Sequence, residues 1–269
     1  MSYPPQPPVM PWAPAPPPRR RPRHPEAKLG PFTWRDLITV LAYALLMFLG
    51  LGALILFIPG VPELLGRDEN AMIFAANLVS YAASFALVLW ALGPELWRSF
   101  KTFRWYPWAK GFGVPGAWLV TIITSAVVVA IAASLMGIDP EDINQSANQQ
   151  EASELISAMP FALMLLMVVI LGPLVEEFVF RHLLIGKLSR WINPWIMVVL
   201  SALLFMSLHF IGKEWPTPIT AAPYVVMGLS FGAGYVLSGK SIGYAWVMHA
   251  FSNLMALSLS TLLAPYLPS

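Results

Sequence analysis

Residues 161–181 read Phe-Ala-Leu-Met-Leu-Leu-Met-Val-Val-Ile-Leu-Gly-Pro-Leu-Val-Glu-Glu-Phe-Val-Phe-Arg. The apolar run extends over roughly 159–187, long enough to cross the ~30 Å hydrocarbon core of a bilayer, which takes roughly 20 residues of helix. It also carries two adjacent carboxylates and an arginine. Such groups are costly in lipid and usually functional. Both the fold class and the chemistry therefore start here.

The rest of the chain supports a membrane reading. Of its 269 residues, 57% are hydrophobic and 11% are charged, and the mean hydropathy is +0.65. Soluble domains carry about 25% charged residues. So few charges cannot coat a water-exposed surface, and lipid is the solvent that suits the excess. Seven apolar segments emerge, at about 36–58, 71–92, 112–136, 159–187, 194–211, 222–237 and 242–263. The expected fold is all-α, a polytopic transmembrane helix bundle of about seven to eight spans. Residues 1–35 form a Pro/Arg-rich tail, with Pro16-Pro17-Pro18 ahead of Arg19-Arg20-Arg21, and are expected to be disordered. Its partner cannot be read. Residues 36–150 hold the first spans, and residues 151–265 hold the polar residues that matter.

Lysine and arginine set the orientation. With the N-terminus cytoplasmic, 13 basic residues fall on inside segments and two, Arg67 and Lys213, on outside loops. Arg181 lies within a span. This bias predicts a cytoplasmic N-terminus. The chain lacks cysteine, which excludes disulfides and thiolate chemistry. Nothing calls for a nucleic-acid partner.

The ionisable residues inside spans cluster in the second half. Glu177 and Arg181 are four apart, the spacing of an intrahelical ion pair, and are expected to neutralise each other. Glu176, about 100° round the helix, is left to face elsewhere. His249 and Asn253 are four apart on one face, as are Phe205 and His209, which suggests an aromatic wall beside the histidine. At ~1.5 Å per residue, Glu176, His209, His249 and Asn253 all fall ~14–25 Å from the cytoplasmic turns. Four polar side chains from three helices thus share one slab of the bilayer. His182, off that face, reads as structural.

A carboxylate and an imidazole around water form a general-base pair, and a second imidazole with an amide can donate to an oxyanion. Glu176 and His209 would then activate water, with His249 and Asn253 stabilising the tetrahedral intermediate. The same Glu176, His209 and His249 also match a catalytic zinc shell with an open position, although an H-E-x-x-H helix is absent. The cofactor is therefore either none or one divalent metal. Two other classes stay open: a non-catalytic membrane scaffold or immunity protein of the same fold, and a proton-coupled transporter.

The Glu-Glu-x-x-x-Arg run at Glu176–Arg181, the Phe-x-x-x-His run at Phe205–His209 and the His-x-x-x-Asn run at His249–Asn253 resemble, in order and spacing, the three motifs of the CAAX prenyl protease and bacteriocin-processing family. The resemblance covers about residues 150–260. It implies an intramembrane endopeptidase of about eight helices, with Glu177, Arg181 and Phe205 supporting the catalytic set. It implies a peptide or membrane-protein substrate, prenylated at a Cys-aliphatic-aliphatic-X end in eukaryotic members and linked to bacteriocin maturation or immunity in bacterial ones. Both glutamate and metal mechanisms are argued for the family. The compact chain suits a bacterial plasma membrane.

Overall fold

The computed structural model describes Ala27 and residues 29–263 apart from Asn144. Most of the Pro/Arg-rich tail lies outside the described residues. Those that are described form helices and connecting turns, with no strand among them.

Helix α1 (Trp34–Phe48) starts at a capping box, in which Thr33 accepts from the Asp36 amide and Asp36 from the Thr33 amide. The segment expected as one span at 36–58 is bent. At Gly50 the backbone turns left-handed (φ +64°), where only glycine sits without strain. A short 3-10 stretch, Leu51–Phe57, leaves at 61° to α1. Helix α2 (Glu69–Leu92) is capped by Asp68 and stops at Gly93. Helix α3 (Pro107–Met136) begins earlier than its apolar core because Pro107 suits a first-turn position.

Helix α4 (Ala147–Ala158) lies where the charge pattern places an outside loop. Its Ser146/Gln149 capping box starts it, and Leu155 and Ile156 near its end pack against a buried apolar cluster. Helix α5 (Phe161–Arg190) follows, then α6 (Pro194–Leu208), α7 (Pro218–Leu237) and α8 (Ile242–Leu263).

The seven expected apolar segments all lie on helices. Among the described residues four helices, α2, α3, α5 and α7, are long and apolar enough to cross a membrane, and five if α1 with Leu51–Phe57 counts as one span. Helix α6 has only 15 residues. Helix α8 has 22 and is not among those four. The chain is an integral membrane protein.

Burial separates the helices by role. The most apolar stretch of α5 is 67% buried and that of α3 only 11%. So α5 is the central helix, and α3 turns Ile122, Ile123 and Ile131 outward to lipid. Leu174, Val175 and Phe178 of α5 are fully buried in the main core.

Two charged residues also lie buried at one end of this core. Lys187 of α5 donates to Asp36 of α1 at 2.5 Å. Lys187 is thus a neutralised structural partner rather than a free loop cation.

Helices α6 and α7 approach closely because Gly228 faces Ala202. A Cβ at Gly228 would lie 2.8 Å from the Ala202 Cα, and that backbone cannot yield as a flexible side chain would. Small residues at such crossings let membrane helices pack by backbone contact. Gly228→Val is therefore expected to lower stability by about 1–3 kcal/mol, measured as thermal unfolding in detergent. A variant as stable as the parent would mean that α6 and α7 separate freely.

Candidate active site

Helix α5 is not a regular helix where its carboxylates lie. Its turns are π-helical over Leu165–Leu171 and Phe178–Lys187, with α-helical Gly172–Glu177 between. Such wide turns are uncommon and concentrate at functional sites. Here they leave a defect. The Gly172 amide donates five residues back, to the Met167 carbonyl. The next donor in that pattern would be residue 173, to Val168, but Pro173 has no N–H. Asn253 of α8 supplies the missing donor, its Nδ2 reaching the Val168 carbonyl at 2.8 Å. One amide hydrogen of Asn253 is thus spent on backbone, and one remains.

Replacing Asn253 with Ala is expected to lower stability by about 1–3 kcal/mol, the usual effect of stranding a polar group away from water. Thermal unfolding checks this. No change would mean that Val168 finds another donor.

Glu176 and Glu177 both address the imidazole of His249, from opposite nitrogens. The His249 Nδ1–H donates to Glu177 Oε1 at 2.9 Å, and Nε2 lies 3.7 Å from Glu176 Oε2. A carboxylate only accepts, so Nδ1 carries the proton and Nε2 faces Glu176. The ring is held between Phe231 (4.6 Å between centroids) and Phe205 (5.9 Å). His249 is 2% exposed and Glu177 fully buried, whereas Glu176 retains 8%.

The expected Glu177–Arg181 pair is present, Nε to Oε2 at 3.3 Å, with both side chains fully buried. It does more than cancel charge. Arg181 Nη2 donates to the Gly228 carbonyl at 3.3 Å, which fastens α5 to α7. Its guanidinium lies 4.8 Å from the Phe205 ring centroid and 5.5 Å from that of Phe231, a cation–π cradle. Glu177 therefore joins a guanidinium on one oxygen to an imidazole on the other.

His209 lies one residue past α6. Its Nδ1–H donates to the Phe205 carbonyl at 2.8 Å, which leaves the lone pair on Nε2. Glu176 and His249 lie within charge-interaction range of it. The Phe205 ring packs against both histidines, at 4.8 Å from His209. Glu176, Glu177 and His249 are thus in direct contact, His209 adjoins them across Phe205, and Asn253 turns one N–H to Val168.

Sequence reasoning missed two tyrosines. The Tyr81 hydroxyl of α2 donates to Glu176 Oε1 at 3.4 Å. The Tyr224 ring of α7 packs on His209 at 4.4 Å. The Tyr224 oxygen takes a hydrogen bond from Asn148 and shares another with Ser146, each 3.1 Å. Helix α4 is thereby tied over His209. The signal for Tyr81 was available. Asn77, Tyr81 and Ser84 recur at helical spacing on α2, but a search for ionisable residues passes over them.

The zinc shell expected from Glu176, His209 and His249 is not gathered on one point. Among the described residues no three His, Asp or Glu side chains converge on a point that could hold a metal. Each histidine has its Nδ1 committed, to Glu177 for His249 and to the Phe205 carbonyl for His209, with Nε2 left for other partners.

Residues 158–255 match the family model described as type II CAAX prenyl endopeptidase Rce1-like. A stretch of 97 residues, 36% of this chain, is 30% identical to an uncharacterized protein of Mycoplasma capricolum subsp. capricolum. That stretch covers 27% of the relative, so the chain spans about a quarter of the length of the curated relative it matches. No solved structure matches the chain.

Proposed function

Starting from an Rce1-like segment at residues 158–255, we propose that this chain is an intramembrane endopeptidase that hydrolyses a peptide bond with water activated by Glu176. The observation that carries this reading is the buried imidazole of His249 flanked by Glu177 at one nitrogen and Glu176 at the other. The base, the acid and the group that orients them lie together, buried between α5 and α8.

Water enters beside Glu176, which takes one proton as the oxygen attacks the carbonyl carbon. The imidazole of His209, with its lone pair on Nε2, assists in orienting the water. His249, in its doubly protonated form, donates from Nε2 to the oxyanion, and the remaining Asn253 N–H adds a second donor. The C–N bond then breaks. The departing amine takes the proton held by Glu176, and the carboxylate is restored. Glu177 and Arg181 do not touch the reacting atoms; they fix the His249 ring. No step requires a metal.

The substrate is a peptide delivered from the membrane, either with a Cys-aliphatic-aliphatic-X end or with a bacteriocin-type leader. The host membrane is a bacterial plasma membrane. The N-terminus is cytoplasmic, in line with the excess of basic residues on that side.

The test is a mass-spectrometric survey of new protein termini in host membranes that express the parent or Glu176→Ala at matched levels. Termini that appear only with the parent support the protease and identify its substrate. Identical profiles, with a deletion phenotype rescued by both forms, would replace it with a non-catalytic scaffold. Proton-coupled flux in liposomes that Glu176→Ala abolishes would replace it with a transporter.

A further inference from the structure

A cavity of about 450 Å³ lies away from Glu176, between the short helix Pro94–Phe100, the start of α8 and one turn of α5. Arg98, Lys101 and Lys240 line it, with Glu95 and, among its innermost residues, His182. Arg98 and Lys101 are exposed, Lys240 half-buried and His182 only 2% exposed. The cavity therefore runs from a cationic mouth to a buried imidazole.

His182 is the unexplained group. Its Nδ1 has no hydrogen-bond partner, a state that carries a desolvation penalty for a buried polar atom and calls for a reason. Its Nε2 faces Glu95 at 3.7 Å. The ring is stacked on Phe178, 5.6 Å away and 17° from parallel, so it is held in place rather than free to turn toward another partner.

The cations are equally unspent. Among the described residues no hydrogen bond or ion pair engages the side chains of Arg98 or Lys101. Lys240 uses one of its three N–H groups on Ser189. Three cations thus face one carboxylate, and that carboxylate is turned to His182. Exposed Trp97 and Trp108 flank this stretch of chain. Tryptophans at such positions belong at the headgroup level of a bilayer.

We propose that this cavity binds a phosphate group, drawn from an anionic lipid headgroup or from free phosphate. Arg98 and Lys101, one helical turn apart, and Lys240 meet its outer oxygens. The Nδ1–H of the neutral His182 ring donates to the innermost one. Nothing in this site depends on the chain being a protease.

The experiment uses the full chain, purified and delipidated in neutral detergent. Native mass spectrometry counts retained phosphatidylglycerol and phosphatidylcholine of the same acyl composition. In parallel, thermal unfolding is followed in inorganic phosphate and in chloride at equal ionic strength. Preferential retention of phosphatidylglycerol assigns the lipid source, and stabilisation by inorganic phosphate alone assigns the free ion. Either supports the site. Arg98→Gln and Lys101→Gln should each weaken binding about fivefold. His182→Gln should weaken it as well, while Arg98→Lys and the neighbouring Arg104→Gln, outside the cavity, should not. Equal retention of both lipids with no effect of phosphate overturns the proposal. So does a loss in Arg104→Gln as large as that in Arg98→Gln, because the attraction would then belong to the surface and not to the cavity.

Discussion

Glu176→Gln is expected to reduce turnover by roughly 10²–10⁴-fold, the range that a positioned general base contributes, with little change in folding stability. Glutamine has the shape of glutamate and its carbonyl oxygen can still accept from Tyr81, so the local packing survives. What is lost is the ability to take a proton from water at the edge of the His249 ring. Glu176 is also the more exposed of the two carboxylates, 8% against 0% for Glu177, as a group that must meet water and substrate should be. The loss should appear in kcat, with KM nearly unchanged, because no substrate contact is removed. The measurement is steady-state cleavage, by purified protein in bicelles, of the substrate that the termini survey identifies. A Glu176→Gln variant that keeps a tenth or more of parental turnover would move the base to another residue. Tyr81→Phe gives a graded companion result, since it removes one hydrogen bond to the carboxylate and leaves the carboxylate itself.

The parts of this molecule that were legible in the sequence are those that lipid makes conspicuous. In a chain with 11% charged residues, apolar runs of about 20 residues point to membrane helices. Glu176, Glu177, Arg181 and His249 stood out because an ionisable residue in such a run is anomalous, and these four do come together. What stayed hidden depends on tertiary contacts and backbone departures that helical periodicity does not encode. A regular helix separates Glu176 and Glu177 by about 100°, which assigns them to different partners. The fold instead gives them the two edges of one imidazole. The role of Asn253 follows from Pro173 only once the Leu165–Leu171 turns are known to be π-helical, since the carbonyl stranded by a proline depends on the hydrogen-bond register. The bend at Gly50 turns on one residue's φ. Helix α4 could have been read from Ser146-x-x-Gln149, but a mostly polar helix that packs inward through Leu155 and Ile156 gives a weak periodic signal. The Asp36–Lys187 pair joins residues 151 apart, a distance that no local pattern spans.

Arg181→Met is expected to be more destabilising than either Gly228→Val or Asn253→Ala, by about 3–5 kcal/mol in thermal or denaturant unfolding in detergent. The reason is what it leaves behind. Glu177 and Arg181 are both fully buried, and removing one member of such a pair strands the other as an uncompensated charge. It also removes the Gly228 contact that ties α5 to α7. The double variant Glu177→Gln/Arg181→Met strands no charge, and should regain most of that stability. It should not regain activity. The introduced glutamine can still accept from His249 Nδ1, so the ring keeps its tautomer, but the negative charge that steadies the doubly protonated imidazole is gone. Turnover should therefore stay roughly 10²-fold below the parent in a protein that folds nearly as well. That split between stability and activity distinguishes a residue that orients the chemistry from one that merely holds helices together. If the double variant recovers both, Glu177 and Arg181 serve the fold alone. If it recovers neither, the contact from Arg181 to Gly228 outweighs the charge pair, and the interface between α5 and α7 is the feature this arginine protects.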